Sequence, residues 1–398
     1  MKLKKLMLAV LSVPFILSGC KKPAVDPKSV MDTKVKAATK MTNAQLLDEA
    51  KKETGLFLAY GNSSRIAAAV ENFRKAYPDL GLDTNSNGTK LSDAEIYTKL
   101  QTEATVTDNS KGASFVLIQD SATLDNYIKN SDILTNYYSD QFKDDVGKDG
   151  LVPLVHQYIN KLFIWNNTAG DAAPKITNVW QLTEEKFKDK IYFKSPTLEL
   201  VNMNFLITLT SPAWNTKMEA AYKEWKGSDY KKGDYQDAAH EWIAKFLNNC
   251  SFAYESDTKM AAGVAKKENS DKIGLFVLSK LRDKSVEHEN LTVGAWEEKA
   301  ITPFSGFMYA LYCQLVTRGP RPYTAMLFTN YMMTREGFAP WNTAVGGYSA
   351  NRKIPAFQGD KDLSFYTQHL VIEDGAYINT VKVKEQDWIN RLIPAQKK

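Results

Sequence analysis

The sequence predicts an α/β protein of two lobes joined by two hinge crossings, and three observations carry that expectation. Short apolar runs alternate with segments whose apolar positions recur every three or four residues, the grammar of a parallel sheet covered by helices. Roughly 350 structured residues are expected after the N-terminal leader and tether, a size that usually divides into two lobes, and 43% hydrophobic with 11% aromatic residues supplies the core. Near Leu151 to Trp165 and again near Ala300 to Pro303 the pattern turns extended, as a chain does when it passes from one lobe to the other.

The leader is read first. Met1-Lys2-Leu3-Lys4-Lys5 precedes an apolar stretch from Leu6 to Leu17, and Leu17-Ser18-Gly19-Cys20 closes it. This is the anatomy of a secretory signal peptide. The stretch is short for a bilayer span and contains Pro14, which disfavours a retained membrane helix. Its end resembles the bacterial lipobox, which implies that residues 1–19 are removed and that Cys20 becomes a lipidated first residue carrying acyl chains such as palmitate. Residues 20–41, rich in Lys, Ala, Val, Asp and Pro, read as a flexible tether.

Structure is expected from Thr42, where Thr42-Asn43-Ala44-Gln45 has capping-box spacing and Leu46, Leu47 and Ala50 form a stripe. Leu56 to Tyr60 reads as a buried strand, Asn62-Ser63-Ser64 as a turn and Arg65 to Tyr77 as a helix stopped by Pro78. Ala94 to Ala104 is helical, Ser114 to Ile118 a strand, and Gln119-Asp120-Ser121 opens a helix to about Lys129. In the second lobe, Lys190 to Phe193 and Ile273 to Leu278 are strands; Asn202 to Leu209, Asp237 to Leu247 and Lys259 to Lys267 are helices. Tyr323 to Thr334 is a late helix before an irregular and helical coda. The lobes are thus expected at 42–160, 161–299 and 300–345, with the coda at 346–398.

Composition excludes several classes. There are 51 Lys and Arg against 46 Asp and Glu; three lysines leave with the leader, so the mature balance is about +2, a poor footprint for nucleic acid. Cys250 and Cys313 read as buried free thiols ahead of a disulfide between them, Cys313 lying in the apolar run Phe307 to Cys313. His156, His240, His288 and His369 show no paired ligand spacing, so neither a metal site nor a cofactor is expected. Neither a Gly-x-Ser-x-Gly elbow, a His-Glu-x-x-His pair nor a phosphate-binding Gly-x-x-x-x-Gly-Lys loop occurs, which weighs against an enzyme.

Taken in order, several segments resemble one family. Leu46 to Gly55 with the following strand, Ala76-Tyr77-Pro78-Asp79, Trp165-Asn166-Asn167, Asn178 to Leu182 with Phe187 to Ile191, and Thr334-Arg335-Glu336-Gly337 resemble the solute-binding lipoproteins of bacterial ABC importers. The group is the type II one related to ferric-ion binding proteins. The resemblance implies the two-lobed type II periplasmic-binding-protein fold, a monomer outside the cytoplasm anchored by lipid, and a permease with its ATPase as partners. Ferric members carry adjacent tyrosines at the end of a second-lobe strand; the corresponding stretch here, Gly274 to Lys280, has none, and Tyr137-Tyr138 read as packing aromatics.

Ligands of open α/β sheets sit beyond the carboxyl ends of strands, against unpaired amides of helix starts. On this ground Asn62, Ser63 and Ser64, Gln119, Asp120 and Ser121, and Ser195 and Thr197 are candidate ligand groups. Asp257 and Thr258 at a helix start, with Ser279 and Lys280 at a strand end, stand opposite, and Lys280 or Arg282 would supply a cation. Glu199 sits where small residues are expected. Trp341-Asn342-Thr343, backed by Gly346-Gly347-Tyr348, is a further candidate wall. The expected solute is small, polar and oxygen-rich, a phosphorylated or carboxylated organic molecule ahead of ferric ion or a ferric complex. A lipid-anchored hydrolase and a surface adhesin or sensor domain are the readings from other classes. If Cys20 is the acylated residue, Cys20→Ala leaves an unprocessed or mislocalised precursor that takes up no lipid label; labelling equal to the wild type contradicts the lipobox reading.

Overall fold

The computed structural model describes residues 26–106, 108–282 and 290–393; the leader, Cys20 and His288 lie outside them. The strands are β1 (Ala59–Gly61), β2 (Gly88–Lys90), β3 (Phe115–Ile118), β4 (Leu134–Thr135), β5 (Val155–Asn166), β6 (Ile191–Phe193), β7 (Cys250–Ser251), β8 (Ile273–Val277), β9 (Leu291–Val293), β10 (Gly306–Val316), β11 (Gly347–Ser349) and β12 (Val371–Ile372). They follow the path β2-β1-β3-β10-β5-β8-β6-β7, with β4, β9, β11 and β12 paired along the flanks. Two parallel blocks, β2-β1-β3 and β8-β6-β7, are joined by the antiparallel strands β10 and β5. Each parallel block is the centre of one lobe.

The helices are α1 (Pro27–Ala38), α2 (Asn43–Ala50), α3 (Arg65–Ala76), α4 (Asp93–Thr105), α5 (Ser121–Lys129), α6 (Lys143–Val146), α7 (Leu200–Leu209), α8 (Pro212–Lys226), α9 (Ala238–Asn249), α10 (Asp257–Val264), α11 (Pro322–Met332), α12 (Arg335–Phe338), α13 (Leu363–His369) and α14 (Gly375–Leu392). Their starts are set locally. Thr42 with Gln45 and Ser92 with Glu95 form capping boxes, and Asp120 and Ser256 accept amides of the first turns of α5 and α10.

The crossing between lobes is visible in the register of β5. Val155 to Leu162 pair with β10, and Lys161 to Trp165 pair with β8. One strand therefore serves both lobes, and Lys161 sits where its partners change. Gly306 opens β10 at this point with φ +149; a Cβ there would lie 2.1 Å from the Lys161 carbonyl oxygen, so no side chain fits.

The structure adds to or departs from the sequence expectation in several places. Residues 27–38 of the expected tether form α1: Asp26 accepts the amides of Lys28 and Ser29, Pro27 occupies the first turn, and Met31 and Ala38 are buried as the helix packs on α11. Two buried side chains and a cap suffice where a neighbouring helix completes the surface. The first strand starts later than Leu56, because Phe57 is buried beside the ladder and only Ala59–Gly61 pair. The strand β2 and the helix α8, bracketed by Ser211-Pro212 and a left-handed Gly227, were not anticipated. The helical part of the expected coda is the 18-residue α14; what the sequence did not signal is that it packs on α7 and α9 and also on α5, so it touches both lobes.

Cys250 and Cys313 are free and buried. Among the described residues no helix is long and apolar enough to cross a membrane. Gly306→Ala is expected to lower stability by about 2–4 kcal/mol, since backbone must shift to admit the methyl group; a urea midpoint equal to the wild type would contradict the close approach at the crossing.

Candidate ligand-binding cleft

A cleft of about 580 Å³ opens between the two parallel blocks. One wall comes from the segments after β1, β2 and β3, and the other from the segments after β6 and β8 and from the start of α10. Ile159 and Tyr309 on the shared strands β5 and β10, with Val277 at the end of β8, form the floor. Of the residues singled out in the sequence, Asn62, Ser63, Gln119, Thr197, Asp257, Ser279 and Lys280 line this cleft together.

The other five sit elsewhere. Ser64 is exposed at the start of α3 and makes no capping bond. The Ser195 hydroxyl is buried against Thr197 Oγ1 at 2.8 Å, and Thr258 lies in the first turn of α10 without lining the cavity. Asp120 and Ser121 belong to a joint beside the cleft. There Asn204 Nδ2 of α7 donates to Asp120 Oδ1 at 3.1 Å and to Glu373 Oε1 at 3.2 Å, and the Ser121 hydroxyl donates to the same Glu373 oxygen. Lys382 of α14 stands 3.9 Å from Asp120 Oδ2. Helix-start loops look alike in sequence whether they face a ligand or a neighbouring helix.

Beneath the cleft lies a lysine that sequence reading passed over. The Lys161 side chain is 1% exposed. Its Nζ donates to Asn202 Oδ1 at 3.0 Å and stands 3.6 Å from Asp257 Oδ2 and 4.0 Å from Glu199 Oε1. Glu199 also pairs with Lys194 and accepts Gln119 Nε2 at 3.1 Å, a bond from one wall to the other. Burial would raise Glu199, but Lys161 and Lys194 outweigh it and hold the carboxyl below its ordinary range. Two cations thereby compensate the Glu199 charge at the cleft.

The walls carry further cations that the loops alone did not reveal. Arg65, at the first position of α3, and Lys90, at the end of β2, face Lys280 across the cleft. Burial lowers Arg65 to about 10, with the Arg282 charge adding to the shift. Burial also lowers Lys280; Asp257 opposes the shift, and Arg282, Arg65 and Lys90 reinforce it. Cations that depress one another's charge in one cavity favour an anion between them. Asp93 lines the same cavity; burial pushes it up to about 7, the Gln119 amide at 3.3 Å works against this, and the charges of Asp120 and Glu199 add to it.

Two candidate features fall outside. Trp341 is buried, edge-on to His156, so it packs the core and does not wall the cleft, although Thr343 Oγ1 accepts Arg65 Nη2 at 3.5 Å. Tyr137 is buried in the main core and donates to Asn330 Oδ1 at 3.3 Å. Among the described residues no cluster of three or more His, Cys, Asp or Glu is placed to hold a metal ion.

Two parallel blocks bridged by shared antiparallel strands, with a polar cleft between them, define the type II periplasmic-binding-protein fold. Solved structures of the ferric-binding-protein type share it. AfuA of Actinobacillus pleuropneumoniae, solved with fructose-6-phosphate, is similar at 14% identity over 86% of this chain and 100% of its own, with a TM-score of 0.62. Iron-bound HitA of Pseudomonas aeruginosa is similar at 12% identity over 85% and 99%, TM-score 0.59. The Trichodesmium protein IdiA (FutA), solved with iron and citrate, is similar at 13% identity over 85% and 99%, TM-score 0.58. The sequence matches no family model and no curated protein.

The joint beside the cleft titrates in a predictable direction. Burial raises Glu373 from 4.5 to about 8, Ser121 and Asn204 oppose the rise, and Asp120 adds to it. Folding therefore takes up a proton between those values, so this group's contribution to stability is present below about pH 4 and is lost as pH rises through 8. Glu373→Gln is expected to flatten the fall in stability between pH 5 and 8 by ~1 kcal/mol or more; an unchanged slope in urea titrations contradicts the assignment.

Proposed function

We propose that this chain is the extracytoplasmic, lipid-anchored binding component of an ABC importer, which closes its two lobes over one small oxygen-rich solute and presents it to a permease. The solute is a phosphorylated or carboxylated organic anion, and the protein itself carries out no chemistry on it. The observation that carries this reading is the placement of Arg65 and Lys90 on one wall against Lys280 on the other, because an anion between them contacts both lobes and so favours the closed state. The fold shared with AfuA and HitA supports capture as the activity. A bare ferric ion is the less supported ligand: among the described residues Tyr309 is the single tyrosine lining the cleft, and the facing cations repel a metal.

A thermal-shift screen of sugar phosphates, organic acids, polyamines and ferric complexes tests the reading, since a ligand selective for the folded state raises the unfolding temperature. Phosphorylated or carboxylated compounds are expected to shift it and polyamines to leave it unchanged. Arg65→Gln combined with Lys280→Gln is expected to weaken the best anion by about tenfold to a hundredfold, in line with losing hydrogen bonds to charged groups. Stabilisation by ferric ion alone, undiminished in that variant, contradicts the reading.

A further inference from the structure

The two carboxylates that Lys161 touches are not equivalent. Glu199 has both oxygens engaged, Oε1 by Gln119 Nε2 and Oε2 by Lys194. Asp257 does not. Its Oδ2 faces Lys161 at 3.6 Å, while its Oδ1 is buried and receives no hydrogen bond from the described residues. A buried acceptor without a donor costs about 1–3 kcal/mol, and folded proteins rarely leave one. Asp257 lines the cleft, and so does Asp93 from the facing lobe, which takes the Gln119 amide at 3.3 Å. The cleft therefore carries both kinds of group on each wall: cations Arg65 and Lys90 with the acceptor Asp93 on one, and the cation Lys280 with the acceptor Asp257 on the other.

An anion alone satisfies only the cations. Inorganic phosphate or a carboxylate with an apolar tail would leave the Asp257 oxygen without a donor and bring negative charge near two carboxylates. A solute whose body carries donors supplies what Asp257 lacks. We propose that Asp257, with Asp93, determines specificity by reading hydrogen-bond donors, so that the captured molecule is an organic anion whose body, away from its charged group, bears hydroxyl or ammonium groups. This rests on the reading of the cleft as an anion-capturing site. Hydroxyl and ammonium share the donor chemistry, and matched ligands separate them.

Three phosphate monoesters of similar size test it: glucose 6-phosphate, glucosamine 6-phosphate and cyclohexylmethyl phosphate, whose ring lacks donors. Calorimetric titration of the wild type is expected to favour at least one sugar ester over the cyclohexyl ester by about tenfold or more. Preference for the glucosamine ester assigns the donor as ammonium, and parity of the two sugars assigns it as hydroxyl; both support the proposal. In Asp257→Asn the ratio between the best sugar ester and the cyclohexyl ester should fall severalfold, with Asp93→Asn as the second variant. A purely structural role would weaken all three alike and leave the ratio unchanged. Equal or tighter binding of the cyclohexyl ester, or an unchanged ratio in both variants, overturns the proposal while anion capture stands. Failure of all three esters, of inorganic phosphate and of the organic acids of the thermal-shift screen to bind overturns the reading beneath it.

Discussion

The cleft depends on the buried charge of Lys161. An ammonium in an apolar interior costs several kcal/mol unless paired and hydrogen-bonded. Here it lies on β5, the strand shared by both lobes, and its partners come from three second-lobe positions: Asn202 in α7, Glu199 just before it and Asp257 at the start of α10. Satisfying one lysine thus draws two helix starts onto the crossing strand and fixes two cleft carboxylates. It also sets the charge of the site. With Glu199 compensated by Lys161 and Lys194, the cations on the walls are left to act on a ligand.

Much of this arrangement was legible in the sequence, and the exceptions have physical reasons. Strand–loop–helix units expose their polar loops at strand ends, so the position of Asn62, Ser63, Gln119, Thr197, Asp257, Ser279 and Lys280 in the sequence already brings them towards one cleft. Lys161 was not, because a lysine beside the apolar run Leu162 to Trp165 gives no periodic signal; its partners lie about 40 and 96 residues away. Lys90 ends a three-residue strand too short to announce itself, and Arg65 stands one residue past the loop that was read. Asp120 and Ser121 were overread. Their partners, Asn204 and Glu373, come from distant segments that only the folded chain brings beside them.

The elements flanking the cleft are those a closing motion would engage. The joint of Asp120, Ser121, Asn204 and Glu373 ties the start of α5 to α7 and to the segment leading into α14. The helix α14 then runs along both lobes, with Lys382 on Thr123 of one and Glu385 on His240 of the other. Gly346, at φ +87, lets the loop before β11 approach Leu278 and Ser279 at the cleft edge; a Cβ there would lie 2.8 Å from Leu278 Cβ and 2.9 Å from the Ser279 amide nitrogen. The shared strands, this joint and α14 are thus the connections between the lobes beside the cleft.

Small-angle scattering of the protein, before and after saturation with the anion that most raises its unfolding temperature, tests the central claim most directly. Capture between two lobes predicts that saturation lowers the radius of gyration and narrows the distance distribution. Saturation that leaves both unchanged would contradict closure over the solute and point to a rigid pocket or another role for the fold.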